Sequence, residues 1–273
     1  MRAFRPVTYA LVAMLIAAAA GVVRAEAPEA GGRERHWYLA RATKEFEARR
    51  FERALVSFEA AARLAEEPLP DDALRRWGIA ASEAGWPLAA YVRLRQYQAA
   101  APGAADREAV QARIIKARRM LLDTAARQSR VIVLTETRPS WDSPSDRQVI
   151  RLVVRSGRAM VEALSGVRVA VPAWERAGDI DEGAYVALVS RLLDSPALLE
   201  EWPPQAMDPN EPGPRRAVVL RLVVGGEERV RQALRGEPYE NLSALAQTIL
   251  EFSRTVSLSP PAKEEGTGGA GRP

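Results

Sequence analysis

Glu175, Asp179, Asp181 and Glu182 form the densest group of chemically capable side chains: four carboxylates within eight positions, a set that suits a hard cation wanting several oxygen ligands. Asp179 and Asp181 also stand just before an amphipathic run, where a carboxylate accepts from the free N–H groups of a first helical turn. Capping and a solvated loop account for the group without an ion, so no metal and no other cofactor is expected. Nucleophilic chemistry is scarcer still. The chain has no cysteine and one histidine, His36, which removes thiolate sites and histidine clusters and leaves a Ser-His-Asp triad one residue to serve as base. No glycine-rich loop ends in Lys-Ser/Thr, and neither Gly-x-Ser-x-Gly nor His-Glu-x-x-His occurs. A paired-carboxylate hydrolase would need two acids facing each other across a cleft, one with a raised pKa, and the acids here fall mostly on faces expected to be wet. The chain reads as a binding protein and not as an enzyme.

The first 25 residues set where such binding would occur. Arg2 and Arg5, an apolar stretch from Val7 to Val23 and the ending Val23-Arg24-Ala25 have the layout of a cleaved secretory signal. The apolar centre, Tyr9 to Gly21, is shorter than the roughly 20 residues that a spanning helix needs. An uncleaved N-terminal anchor is the alternative. No cysteine follows the stretch, which closes the lipoprotein route, so after cleavage no stable membrane insertion is expected and the location is periplasmic or secreted. Loss of Arg2, Arg5 and Arg24 lowers the net charge from +4 to +1. A near-neutral chain lacks the surplus that phosphate backbones demand, so nucleic acid is not expected as a partner. Basic residues are almost all arginine, with lysine only at Lys44, Lys116 and Lys263, which with the abundant alanine looks like codon bias.

From Arg35 onward the apolar residues recur with a helical period. Tyr38, Ala42 and Phe46 mark one helix; Ala54, Phe58, Ala61 and Leu64 mark the next. The scheme returns after 36 residues, Gly78 repeating Ala42, Ala90 repeating Ala54, Leu94 repeating Phe58 and Tyr97 repeating Ala61. Small residues at the first two pairs allow antiparallel helices to approach closely, and the larger ones fill the space beside them. Through Ala42-x3-Phe46, Phe51-Glu-Arg-Ala54-x3-Phe58-x2-Ala61-x2-Leu64 and Gly85-Trp86-x3-Ala90-x3-Leu94-x2-Tyr97-x4-Pro102, residues 35–128 resemble the tetratricopeptide repeat (TPR) family. The longer period fits an extended loop at Glu66 to Asp71. A further helix, Asp106 to about Ala126, carries Val110, Ile114, Ala117 and Leu121 on one side and looks like the capping helix of such arrays. The resemblance implies a groove lined by the first helix of each pair, taking a protein or peptide partner. On that implication the partner-binding residues are His36, Thr43 and Glu47 in the first copy, with Asp72, Arg75 and Glu83 in the second. Two copies and a cap make a short array, since stacked repeats generally need about three, so the rest of the chain is expected to cover an end.

Residues 129–256 change character to α+β. Val131 to Thr135 reads as a strand, Pro139 to Asp146 as a turn-rich connection, and Ile150, Leu152 and Val154 alternate with Arg151 and Arg155. Met160 to Leu164 and Val167 to Val171 read as strands around a Ser165-Gly166 turn. A helix follows with Tyr185, Leu188, Val189 and Leu192 on one face, ending at Pro196. The proline-rich stretch Trp202 to Arg216 is too long for a mere connection. Val218, Leu220, Leu222 and Val224 alternate up to a Gly225-Gly226 turn, Glu227 to Leu234 return, and Asn241 is placed to cap a last helix carrying Leu242, Leu245, Ile249 and Phe252. Residues 257–273, with two proline and glycine pairs, read as a disordered tail. Arg155-Ser156-Gly157 between strands, the helix from Ile180 to Leu193 and the closing hairpin plus helix resemble emfourin-type inhibitors of thermolysin-like metalloproteases, which implies a second function for this half. The fold expected is a TPR-like helical array of two hairpins and a capping helix, followed by an α+β domain with an antiparallel sheet and two helices. The function expected is that of an exported, non-catalytic adaptor for a protein partner in the cell envelope, with a protease inhibitor-like module as the alternative.

Overall fold

The computed structural model describes residues 28–64, 68–138, 146–155, 158–167, 173–200, 215–256 and 258–259. The expected signal peptide, the Ser156-Gly157 turn, residues 202–214 of the proline-rich stretch and the tail beyond 259 lie outside them.

Five helices come first: α1 (Pro28–Glu47), α2 (Phe51–Arg63), α3 (Asp71–Ala84), α4 (Pro87–Ala100) and α5 (Arg107–Ala125). They pack as two hairpins, α1 with α2 and α3 with α4, and α5 lies on α4. The turn between α3 and α4 follows from Gly85, whose φ of 77° needs no Cβ, and from Pro87, which suits a first helical position. Ala42, Ala54, Phe58, Ala61 and Leu94 are fully buried. A Cβ at Gly78 would sit 2.6 Å from Leu94 Cγ, which is the close approach that the small residue permits. Helix α1 begins at Pro28, earlier than the Arg35 expected. Gly32 to Glu34 are exposed, so the stretch just before Arg35 offers no apolar period to read.

The remaining elements are β1 (Ser129–Arg138), β2 (Asp146–Arg155), β3 (Arg158–Val167), β4 (Ala173–Ile180), α6 (Glu182–Asp194), α7 (Pro196–Leu199), β5 (Arg215–Val224), β6 (Glu227–Ala233), α8 (Gly236–Thr255) and β7 (Leu258–Ser259). The strands form one antiparallel sheet in the order β6-β5-β1-β2-β3-β4-β7. Val131, Val133, Ile150, Leu152, Val154 and the four alternating residues of β5 from Val218 to Val224 are buried on one face, which α8 partly covers. Gly225 and Gly226, at φ 59° and 91°, make the β5–β6 turn.

Three local expectations change. Ser165 and Gly166 do not turn the chain: β3 runs through them, pairing them with Gln148 and Arg147, because a full ladder with β2 outweighs one Ser-Gly pair. Glu175 and Asp179 lie in β4, not in a loop, while Asp181 caps α6 by accepting from the Ala184 N–H at 2.9 Å. Asn241 is inside α8, which starts at Gly236 with Pro238 in its first turn. Of the tail, Leu258–Ser259 pair with Ile180 and Asp179.

The second half covers the end of the array that the short repeat leaves open. Ser129 Oγ meets Tyr185 Oη at 2.7 Å and donates to Ala125 O at 2.8 Å, Tyr91 Oη donates to Asp194 Oδ1 at 3.2 Å, and Arg118 reaches Ser190 Oγ and Asp194 Oδ2, both at 2.7 Å. One hydrophobic core runs from Ala42 to Ile249.

Candidate functional site

With the α+β half seated on α4 and α5, the surface built by the first helices of the pairs, α1 and α3, and by α5 remains as the candidate site. His36, Thr43 and Glu47 are spaced to share one side of α1, as Asp72, Arg75 and Glu83 do on α3. Ion pairs bind these helices side by side. Arg76 reaches Glu47 of α1 at 3.4 Å and Asp72, one turn earlier, at 2.8 Å. Arg113 of α5 donates to Glu83 at 2.7 Å and to Ser82 Oγ at 3.4 Å.

The six residues fall into two groups by what already holds them. Arg75 pairs with Asp106, which also accepts from Tyr97 Oη at 2.9 Å. The Arg75 hydrogen bond, with the one from Tyr97, holds the Asp106 carboxyl below the usual range against the effect of burial. Burial and the same carboxylate push the Tyr97 phenol up. Arg75 and Glu83 therefore fasten α3 to the capping helix. Glu47 and Asp72 keep 67% and 62% of their side-chain surface in water, so they have room for a further partner. Thr43 is half-buried and His36 exposed, with its Nδ1 3.0 Å from Gly32 O. Next to it Trp37 is 55% exposed, with the Arg41 guanidinium 5.2 Å from the ring centre.

Sequence reasoning passed over Arg76 and Arg113, yet a signal was there. Glu47 and Glu83 are one repeat apart, and each is held by an arginine 29 or 30 positions further along. An acid with a later arginine, recurring at the repeat period, marks a rung between successive first helices.

This surface can present charges of both signs and an aromatic edge to a partner. The carboxyl that burial raises lies elsewhere: Glu227 accepts from the N–H groups of Leu88 and Ala89, both at 3.0 Å, and is committed to the junction of the halves. Among the described residues no group of three or more His, Cys, Asp or Glu is placed to hold a metal ion, and no helix is long and apolar enough to cross a membrane. No protein family, curated protein or solved structure compared with the chain matches it.

Proposed function

We propose that the protein is an exported, non-catalytic adaptor whose TPR-like helical array holds a protein or peptide partner in the cell envelope, in the periplasm or after secretion. The observation that carries this reading is the fastening of α1, α3 and α5 by Arg76 and Arg113 into one surface, on which Glu47 and Asp72 stay largely in water. Seating the α+β half on α4 and α5 gives that surface a rigid back, and pre-ordering of this kind lowers the entropy lost on binding. Its carboxylates favour a partner segment rich in arginine or lysine, with Trp37 available for an apolar or cationic anchor.

The test is crosslinking and capture from envelope extract with the full-length chain, beside a Glu47→Arg/Asp72→Arg variant. The reading expects a specific protein whose yield falls at least tenfold with the charge reversal. A partner retained unchanged by the variant, or none retained, refutes it.

A further inference from the structure

The central strands present two unlike faces. Toward α8, Val131, Val133, Leu220 and Leu222 are at most 1% exposed. Ile132, Leu134, Val149, Val219 and Val223 alternate to the opposite face and are only half-buried, and Val230 beside them is 47% exposed. The register arranges them in rows: Leu134 lies between Val149 of β2 and Val219 of β5, and Ile132 between Arg151 and Arg221. A sheet face left to water is ordinarily polar. Aliphatic residues contiguous over three strands mark a face that a further layer covers.

The charges on that face say what the layer is. Strand β1, flanked by β2 and β5 along its length, turns Arg130, Ile132, Leu134 and Glu136 to it in the order cation, aliphatic, aliphatic, anion. That order is its own complement when reversed. A second β1 laid on it antiparallel, about a two-fold axis at Val133, sets Arg130 over Glu136 of the second copy, Ile132 over Leu134, and Glu136 over Arg130. Arg130 is exposed and has no ion-pair partner among the described residues, so it has a charge to offer. The cations that the layer would cover are already answered: Arg221 is paired with Glu228, and the register sets Glu162 across from Arg151. Covering them strands no lone charge. A face that carries both signs in this way favours neither a polyanion nor a polycation.

We infer that the sheet face opposite α8 is where two copies of this chain meet, β1 stacked antiparallel on β1 of the second copy, with Ile132 against Leu134 at the centre and an Arg130–Glu136 ion pair at each end. The two sheets lie about 10 Å apart, the spacing of packed sheets. Arg130 and Glu136 each stand about 10 Å along the strand from Val133, where an arginine side chain still bridges sheets crossed at the usual angle of about 30°. Such an interface is isologous, one patch binding its own copy. It uses no residue of the helical surface and does not depend on the adaptor reading.

The test joins sedimentation equilibrium of the full-length chain to site-directed crosslinking, which the absence of native cysteine makes clean. The expected result is a monomer–dimer equilibrium with a dissociation constant below millimolar. Arg130→Glu, which faces an acid with an acid, should raise that constant at least tenfold, and Arg130→Lys should leave it within threefold. A bismaleimide reaching about 10 Å, the spacing of packed sheets, should join Arg130→Cys to Glu136→Cys in a mixture of the two. It should join neither to itself, because equivalent positions lie about 20 Å apart in this arrangement. A monomer at every concentration overturns the inference and gives the face to a different partner. A dimer indifferent to Arg130→Glu, or one in which either cysteine variant links to itself in place of the other, overturns it as well.

Discussion

The carboxylate of Glu227, the first residue of β6, caps the helix that begins beside Leu88: Oε1 accepts from the Leu88 N–H and Oε2 from the Ala89 N–H, each at 3.0 Å. Trp86 sits at the cap position of α4 and offers no side-chain bond of its own. The free donors of that first turn, and the positive end of the helix dipole, are thus answered from 139 positions away. A local helix-capping problem in the array is solved by the other half of the chain, which couples the two.

Removing that cap should destabilise the whole protein. Glu227→Ala is expected to cost about 1–2 kcal/mol in urea unfolding, the usual range for a lost helix cap. The pH dependence carries a definite sign. Burial raises the Glu227 carboxyl above its ordinary value, against the opposing effect of the two N–H bonds. The folded chain therefore holds this proton to higher pH than the unfolded chain does. Its contribution is full below the unfolded pKa and declines as pH rises through the folded one. Glu227→Gln, which cannot ionise, should gain on the wild type across that window. If the wild type gains instead, the helix N–H groups outweigh burial.

Gly78→Ala tests the contact between the hairpin helices. Helix propensity alone favours alanine by about 1 kcal/mol. The new Cβ would stand 2.6 Å from Leu94 Cγ and Cδ2, in a side chain with no exposure, and 3.1 Å from its backbone nitrogen. Strain of that kind costs roughly 1–3 kcal/mol, so a net loss of about 1 kcal/mol is expected by thermal unfolding. Pairing it with Leu94→Ala should give less than the sum of the two losses, since the clash disappears with the leucine.

Such contacts were legible because close helix packing demands a small residue at a fixed place in the period, and Ala42 and Gly78 meet that demand openly. Strand β5 was legible for a similar reason: Val218 to Val224 alternate and end in a glycine pair that only a tight turn explains. Strand β4 was not. Its sequence, Ala-Trp-Glu-Arg-Ala-Gly-Asp-Ile, has no clean alternation, and backbone pairing to β3 supplies what the side-chain pattern does not advertise. The site divides the same way. The spacing of Glu47, Asp72 and Glu83 placed them on one side of their helices, but that Arg75 and Glu83 are already engaged by α5 is a long-range fact invisible to local periodicity.

Tyr185 should make the protein sensitive to alkali. Its ring is fully buried and burial pushes the phenol up to about 12, with the Ser129 hydrogen bond acting in the other direction. The folded state keeps this proton when the unfolded chain begins to lose it near pH 10. Stability from this group is thus intact below pH 10 and is lost between about 10 and 12, with a magnitude of the order of 3 kcal/mol. Tyr185→Phe should show a shallower decline over that interval, followed by urea midpoints at successive pH values. It should also cost about 1 kcal/mol at pH 7, a small loss because Ser129 Oγ keeps Ala125 O as its acceptor.

The helical surface offers a separation of binding from scaffolding. Glu47 and Asp72 are mostly in water, and exposed ion pairs contribute about 0–1 kcal/mol. Glu47→Arg/Asp72→Arg takes both partners from Arg76 and sets three guanidiniums together, so a loss of about 1 kcal/mol is expected from the loosened contact of α1 with α3. Arg75→Ala strips the partly buried Asp106 of its cation while Tyr97 remains bonded to it, so a loss of about 1 kcal/mol is expected from the weakened attachment of α5. Any fall in partner capture with Arg75→Ala would then be ambiguous, because a loosened array binds poorly whatever it binds through. A fall with the charge reversal that exceeds the one Arg75→Ala gives at an equal loss of stability has one explanation, contact at the surface itself. Circular dichroism melts run beside the capture assay decide between them: binding that tracks midpoint across all three residues makes the surface mere scaffold, and binding that tracks charge makes it the docking site.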